Sequence, residues 1–263
     1  MPEKSAATHT PKVVTITRQS RSNRIVHALV ASSTFGLIVT GLGQMPFYSR
    51  YKIADIPGLT WLGSYEITLW LHYLFAFVLM GAVTYHILYH ALRREFAILP
   101  KRGDFKHSLQ VIGAMVRGQK EPPSEKYLPE QRLAYAFIAF AIGLTIVTGL
   151  IKVYTNVPGW NVSDGMHFWS AQLHNLGFFL VFMGIIAHLA AFLFKPNRKL
   201  LGGMRHGQVE AHYTLERHAH WKEGVQKARS ALAGQTPPES AAPKPPEEET
   251  PKGDRPCEES AAR

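Results

Sequence analysis

Phe168 to Phe194 reads FWSAQLHNLGFFLVFMGIIAHLAAFLF. These 27 residues contain no Lys, Arg, Asp or Glu and two histidines, His174 and His188. About 20 apolar residues cross the hydrocarbon core of a bilayer, so the stretch is long enough to span one with some tilt. An ionisable side chain inside such a span is costly and marks a functional position. The two imidazoles are 14 positions apart. At roughly 100° and 1.5 Å per residue they fall within about 40° of each other and about 21 Å apart along the axis. Both therefore lie on one helix face, one near each membrane surface.

Working outward, Ile67 to Leu92 reads ITLWLHYLFAFVLMGAVTYHILYHAL, and His72 and His86 are again 14 positions apart. Two membrane helices with the same His-x13-His spacing predict a scaffold for two stacked haems, each iron held by two imidazoles. Hydropathy marks four spans, at about 24–43, 67–91, 131–152 and 168–194. The expected fold is all-α: an integral membrane four-helix bundle occupying residues 21–206. Mean hydropathy is near zero, at −0.06, because these spans average with polar ends.

The net charge of +10 would suggest nucleic acid in a soluble protein. Here the basic residues lie in the loops and have a topological meaning. Arg93, Arg94, Lys101, Arg102, Lys106, Arg117, Lys120 and Lys126 crowd the connection 92–131, whereas the loop 153–167 has neither Lys nor Arg. The positive-inside rule then puts both termini and the 92–131 loop in the cytoplasm, and the 44–66 and 153–167 loops outside. Pro158, Trp160 and Trp169 suit an interfacial aromatic belt. Arg18, Arg21 and Arg24 before the first apolar run resemble a secretory leader, but GLGQMP at its end offers no small-x-small cleavage site. The run is read as a span in a bacterial inner membrane. A single cysteine, Cys257, cannot hold an iron–sulfur cluster, a zinc ion or a disulfide.

Outside the bundle, residues 1–20 read as flexible. Ser108 to Val116 reads as a short interfacial helix. Residues 207–233 read as one amphipathic cytoplasmic helix, and 234–263, rich in Pro and Glu, as a disordered tail. One internal echo stands out: Ile38-Val39-Thr40-Gly41-Leu42 recurs as Ile146-Val147-Thr148-Gly149-Leu150. With the paired histidine spacing, it suggests that the first two helices resemble the last two.

Orientation sorts the histidines by depth. His72 and His174 are at the outer level. At the inner level His188 can pair with His27 or with His86. Gly177 and Gly184, with Gly81, are small enough to admit a macrocycle near the backbone. His90, His107, His206, His212, His218 and His220 read as interfacial or loop residues. No residue pattern points to substrate catalysis.

These marks resemble the cytochrome b (gamma) subunits of membrane-bound respiratory formate dehydrogenases, and the related cytochrome b subunits of nickel–iron hydrogenases. The resemblance covers about residues 20–230. It rests on Arg24-x-x-His27, Thr40-Gly41, His72, His174-x13-His188, and Gly203-Met204-x-x-Gly207-x-Val209 with the basic run to Trp221. It implies two b-type haems, the inner one held by His27 and His188 and the outer by His72 and His174. His86 remains the alternative inner ligand, favoured by the symmetry of the two helices. The hypothesis for Arg24 is a bond to an inner haem propionate. The resemblance also implies a cytoplasmic-side quinone site near Lys126, Tyr127 and Gln131. Leu128 and Glu130 depart from the family pattern there, and Glu130 is a candidate for proton uptake.

The expected function is electron transfer from a periplasmic iron–sulfur (beta) subunit, fed by a catalytic (alpha) subunit, across the membrane to quinone. Two other readings remain. One is a cytochrome b anchor of a hydrogenase or thiosulfate-type reductase, with the direction of flow open. The other is a haem-free histidine relay. Four unbroken helices without inverted repeats argue against a transporter.

Overall fold

In the computed structural model, residues 13–45, 47–159 and 162–234 are described. The segment 1–12, Trp160, and the tail from 235 onward with Cys257 lie outside the described residues. The chain runs β1 (Thr15–Thr17), α1 (Arg21–Gln44), α2 (Phe47–Arg50), α3 (Tyr65–Arg93), α4 (Asp104–Val116) and α5 (Pro129–Thr155). It continues through α6 (Asp164–Ala190), α7 (Lys195–Arg198), α8 (Leu201–Arg205), β2 (Gln208–Glu210), α9 (Ala211–Arg217) and α10 (Lys222–Ala233).

Helices α1, α3, α5 and α6, the last with its short extension to Leu193, are long and apolar enough to cross a membrane. Their starts are written locally. Ser20, Ser64 and Ser163 each accept a hydrogen bond from the backbone N–H three residues on, satisfying one orphan donor. Pro129 opens α5, where its missing N–H costs nothing, and the Gln131 side chain reaches back to the Leu128 N–H. Arg94 ends α3 in the left-handed conformation, φ 53°. Large apolar side chains such as Phe35, Trp70, Phe77 and Phe140 stand exposed around the bundle, as a lipid-facing surface requires. The fold is thus the expected all-α membrane bundle.

The helices associate as two hairpins, α1 with α3 and α5 with α6. Small residues set the closeness within each, the usual solution where helices meet in lipid. A Cβ added to Gly36 would sit 2.6 Å from the Phe75 ring, and one added to Gly177 would sit 2.6 Å from Thr145 Cγ2. Between the hairpins, at mid-depth, Leu79, Ala141, Ile142 and Val181 form an apolar layer with Val30 and Leu37 packed against it.

One end of the bundle carries a cap, called here the proximal end. Ile16 and Val209 pair across the β1–β2 ribbon and share a core with Val111, Leu128, Tyr213 and Trp221. Two expectations change here. Thr15–Thr17, within the segment read as flexible, form a strand, because apolar Ile16 has a buried partner from far along the chain. Residues 207–233 form a strand and two helices instead of one helix, because His218, Trp221 and Ala228 are claimed by that core. The interfacial segment read at 108–116 is α4, beginning four residues earlier at Asp104.

Several buried polar groups of the cap are paired across the chain. Arg132 grips Asp104 in a fork, Nε to Oδ2 at 2.7 Å and Nη2 to Oδ1 at 2.6 Å, both residues buried. The hydrogen bond from Arg132 holds the Asp104 carboxyl below its ordinary pKa. Arg217 binds Glu121, Asn197 Oδ1 and Tyr213 Oη. His218 is fully buried, its Nδ1–H donating to Glu125 O at 2.6 Å. Burial, aided by the positive charges of Arg18 and Arg217, brings its pKa down to about 3. So His218, read from sequence as a loop residue, is a neutral core group.

Candidate functional site

The four histidines singled out by spacing meet as two pairs across the hairpins. At the distal level the rings of His72 on α3 and His174 on α6 lie 6.4 Å apart, centroid to centroid. At the proximal level His27 on α1 and His188 on α6 lie 6.3 Å apart. Each pair joins one hairpin to the other, and α6 contributes to both.

The distal pair has a matched set of supports. Thr40 Oγ1 donates to the Gly36 carbonyl at 2.7 Å and lies 3.0 Å from His72 Nδ1. Thr148 Oγ1 donates to the Leu144 carbonyl at 2.6 Å and lies 3.0 Å from His174 Nδ1. Each hydroxyl hydrogen goes to a carbonyl, so each oxygen accepts from the ring. Nδ1 then carries the proton and Nε2 keeps its lone pair. The next residue in each helix is a glycine that the ring lies against. A Cβ on Gly41 would sit 3.5 Å from His72 Cε1, and one on Gly149 would sit 3.2 Å from His174 Cε1. The five-residue echo is therefore a duplicated cradle: threonine orients the imidazole and glycine admits it. The proximal pair has no such support: among the described residues neither ring hydrogen-bonds a side chain.

His86 is engaged elsewhere. Its Nε2 lies 3.0 Å from Tyr135 Oη, and its ring packs against His90 at 4.5 Å. His188 faces His27 and not His86. Gly177 and Gly184 also have a different neighbour from the one expected. Thr145 of α5 fills the space beside Gly177, and Ile138 and Phe137 of α5 fill that beside Gly184. Their small size serves helix contact. The contacts a glycine makes around the bundle are invisible in its own helix's sequence.

Arg24, one turn before His27, donates from Nη1 to the Arg205 carbonyl at 3.1 Å. Among the described residues its buried Nε has no hydrogen-bond partner. Lys126 and Tyr127 line a proximal cavity of about 420 Å³ together with His90, Glu95 and Trp221. Gln131 is occupied in capping α5, and both carboxylate oxygens of Glu130 are buried with no hydrogen bond among the described residues, away from that cavity's lining. Of the expected quinone-region residues, then, two are brought to one cavity and two are not. Arg18, not singled out from sequence, is buried nearby, with Tyr127 and Trp221 beside its guanidinium at 5.8 Å each. Burial lowers its pKa to about 10. One arginine among the three ahead of the first span gives no sequence signal for this.

The family model described as prokaryotic cytochrome b561 matches residues 18–207, which include both histidine pairs and the bundle. A search of the curated proteins returns no match.

Proposed function

The chain belongs to the prokaryotic cytochrome b561 family, and from that premise we propose that it is a dihaem subunit carrying electrons across the membrane to quinone. Membership makes it a multi-pass membrane cytochrome b that binds b-type haem and transfers electrons. The finer reading assigns His72 and His174 to an outer haem and His27 and His188 to an inner one. An iron bonded at about 2.0 Å to the facing nitrogens of two opposed imidazoles holds their centroids roughly 6.3 Å apart. The two observed separations, 6.3 and 6.4 Å, carry the reading. The protonated Nδ1 of His72 and His174 leaves Nε2 as the ligand atom in each. When bound, the haems would supply one-electron chemistry. This chain's residues would hold and orient them.

The two levels and the basic loops give direction to the reading. The proximal end, with its Lys- and Arg-rich connection, faces the cytoplasm of a bacterial inner membrane, and the distal end faces the periplasm. A periplasmic iron–sulfur subunit of a formate dehydrogenase meets the outer level. Quinone binds in the proximal cavity beside Lys126 and Tyr127. The unpartnered Nε of Arg24 suits a propionate of the inner haem. The histidine alternative, His86, is bonded to Tyr135 and is not assigned to iron.

A pyridine haemochrome count on purified chain is expected to give two b haems, with reoxidation of the dithionite-reduced protein by a short-chain naphthoquinone. One haem or none would overturn the dihaem assignment. Co-purification with hydrogenase subunits in place of formate dehydrogenase would overturn the partner.

The threonine supports give a second expectation. Donation from Nδ1–H to a hydroxyl raises the electron-donating power of the ligand and favours the ferric ion. Thr40→Val and Thr148→Val are expected to raise the outer-haem potential, by about 60 mV for each tenfold loss of ferric preference. Redox titration of each variant checks this. The inner-haem potential should stay where it was.

A further inference from the structure

Helix α4 carries one face into the cap and a second apolar face away from it. We propose that this second face, with the basic side chains beside it, docks on an anionic lipid leaflet and seats the cap at the membrane surface. The inference draws on neither the haem nor the quinone assignments. At roughly 100° per residue, α4 divides into three sectors. Asp104, Ser108, Val111 and Ala114 are buried and make the cap side, with Val111 in the cap core and Asp104 in the fork with Arg132. Phe105, Leu109, Ile112 and Val116 recur at i, i+4, i+7 and i+11 and fall within about 60° of one another. They are 70, 57, 40 and 70 % exposed. Lys106, Gln110 and Arg117 are exposed as well and lie together, roughly 110° round from that stripe. Large apolar side chains in one exposed line are an interaction surface.

Two observations choose lipid as its occupant. The first is continuity. Leu92 in the last turn of α3, then Phe96 and Leu99, are exposed, so exposed apolar side chains run from a membrane span into α4. At its other attachment the Asp104–Arg132 fork fastens the start of α4 to the first turn of α5, a second span. α4 is thus tied to the ends of two spans, the level of the headgroups. The second is charge. From Phe105 to Lys120 there are Lys106, Arg117 and Lys120 and no acidic residue, and Arg102 stands just before. Among the described residues none of these four cations pairs with a carboxylate. An apolar stripe edged by unpaired cations is complementary to an anionic interface: the stripe enters the acyl boundary, and the long basic side chains reach the lipid phosphates.

The test uses the full chain in nanodiscs of phosphatidylcholine, with or without phosphatidylglycerol. Cys257→Ser removes the native thiol, and a nitroxide is placed at Leu109→Cys or Gln110→Cys. In anionic discs the Leu109 label is expected to relax with oxygen, which concentrates among acyl chains, and the Gln110 label with a water-soluble nickel chelate. Lys106→Gln and Arg117→Gln should each weaken docking about fivefold at low salt, read as growth of the chelate-accessible Leu109 population. Neither replacement touches the buried face of α4, and discs of phosphatidylcholine alone test the same charge without any mutation. A Leu109 label open to the chelate in anionic discs would overturn docking on the membrane. A label shielded from both reagents would overturn it in favour of a protein cover, whether residues 235–263 or another subunit. Oxygen access that is equal in neutral and anionic discs and unmoved by the two glutamine variants would overturn the anionic-lipid site.

Discussion

His27→Ala is expected to lower the haem content from two per chain to one, while His86→Ala leaves it at two. The difference follows from which ring faces His188. The His27 ring lies 6.3 Å from it, the separation an iron between two imidazoles requires, whereas His86 is bonded to Tyr135. On the proposed assignment, losing one of the two imidazoles that would hold the iron weakens the hold on that haem. His72→Ala and His174→Ala should remove the outer haem in the same way. Because the two sites share α6 but no ligand, the surviving haem should keep its α-band and potential. Haemochrome counts and low-temperature reduced-minus-oxidised spectra of the four variants read this directly. A two-haem His27→Ala protein would reassign the inner site to His86.

The second large effect concerns the cap. Asp104→Ala is expected to destabilise it by about 3 kcal/mol, because the buried Arg132 guanidinium is left with only the Tyr127 carbonyl at 2.9 Å and Glu125 Oε2 at 3.4 Å. The pair is deeply placed, with Asp104 2 % and Arg132 5 % exposed, and it joins α4 to the start of α5. Replacing both partners with apolar residues of similar volume should cost much less than replacing one. Limited proteolysis in the loop 117–128, compared across the two single variants and the double variant, measures the effect.

Acidity acts on the same cap through two groups with defined signs. Asp104 has its folded pKa depressed by Arg132, so its contribution is complete above the unfolded value of about 3.9. It is lost as pH falls through the lower folded value. His218 acts earlier. Its folded pKa of about 3 lies below the unfolded value near 6.5, so the unfolded chain binds the extra proton between them and stability falls as pH drops through that window. The cap should therefore weaken from about pH 6.5 downward, before the carboxylates titrate. A Ser124→Ala variant, which removes one contact to His218 Nδ1 and leaves the Glu125 carbonyl, should keep that profile.

Much of the site was legible in the chain because helical periodicity fixes both the direction and the depth of a residue once a span is recognised. Spacing put His174 and His188 on one face about 21 Å apart, and the orientation of the spans put His72 at the level of His174. The echo of Thr40-Gly41 in Thr148-Gly149 was also legible, but not its reason. Only packing shows each hydroxyl at 3.0 Å from an imidazole nitrogen and each glycine against that ring. The choice between His27 and His86 was open for the same cause. Both are at the inner level, and depth says nothing about which neighbour a helix turns toward.

The apolar length of the four spans, the fold class and the levels of the histidines were determined by sequence, since each depends on residues within one helix. Tertiary structure decided what depends on two helices at once. It paired His27 with His188 and gave His86 to Tyr135. It turned Gly177 and Gly184 toward α5. It also drew Ile16, Leu128 and Val209 from three distant segments into one cap core. A periodic pattern specifies a face, but the partner of that face is set by which surfaces exclude water or lipid together.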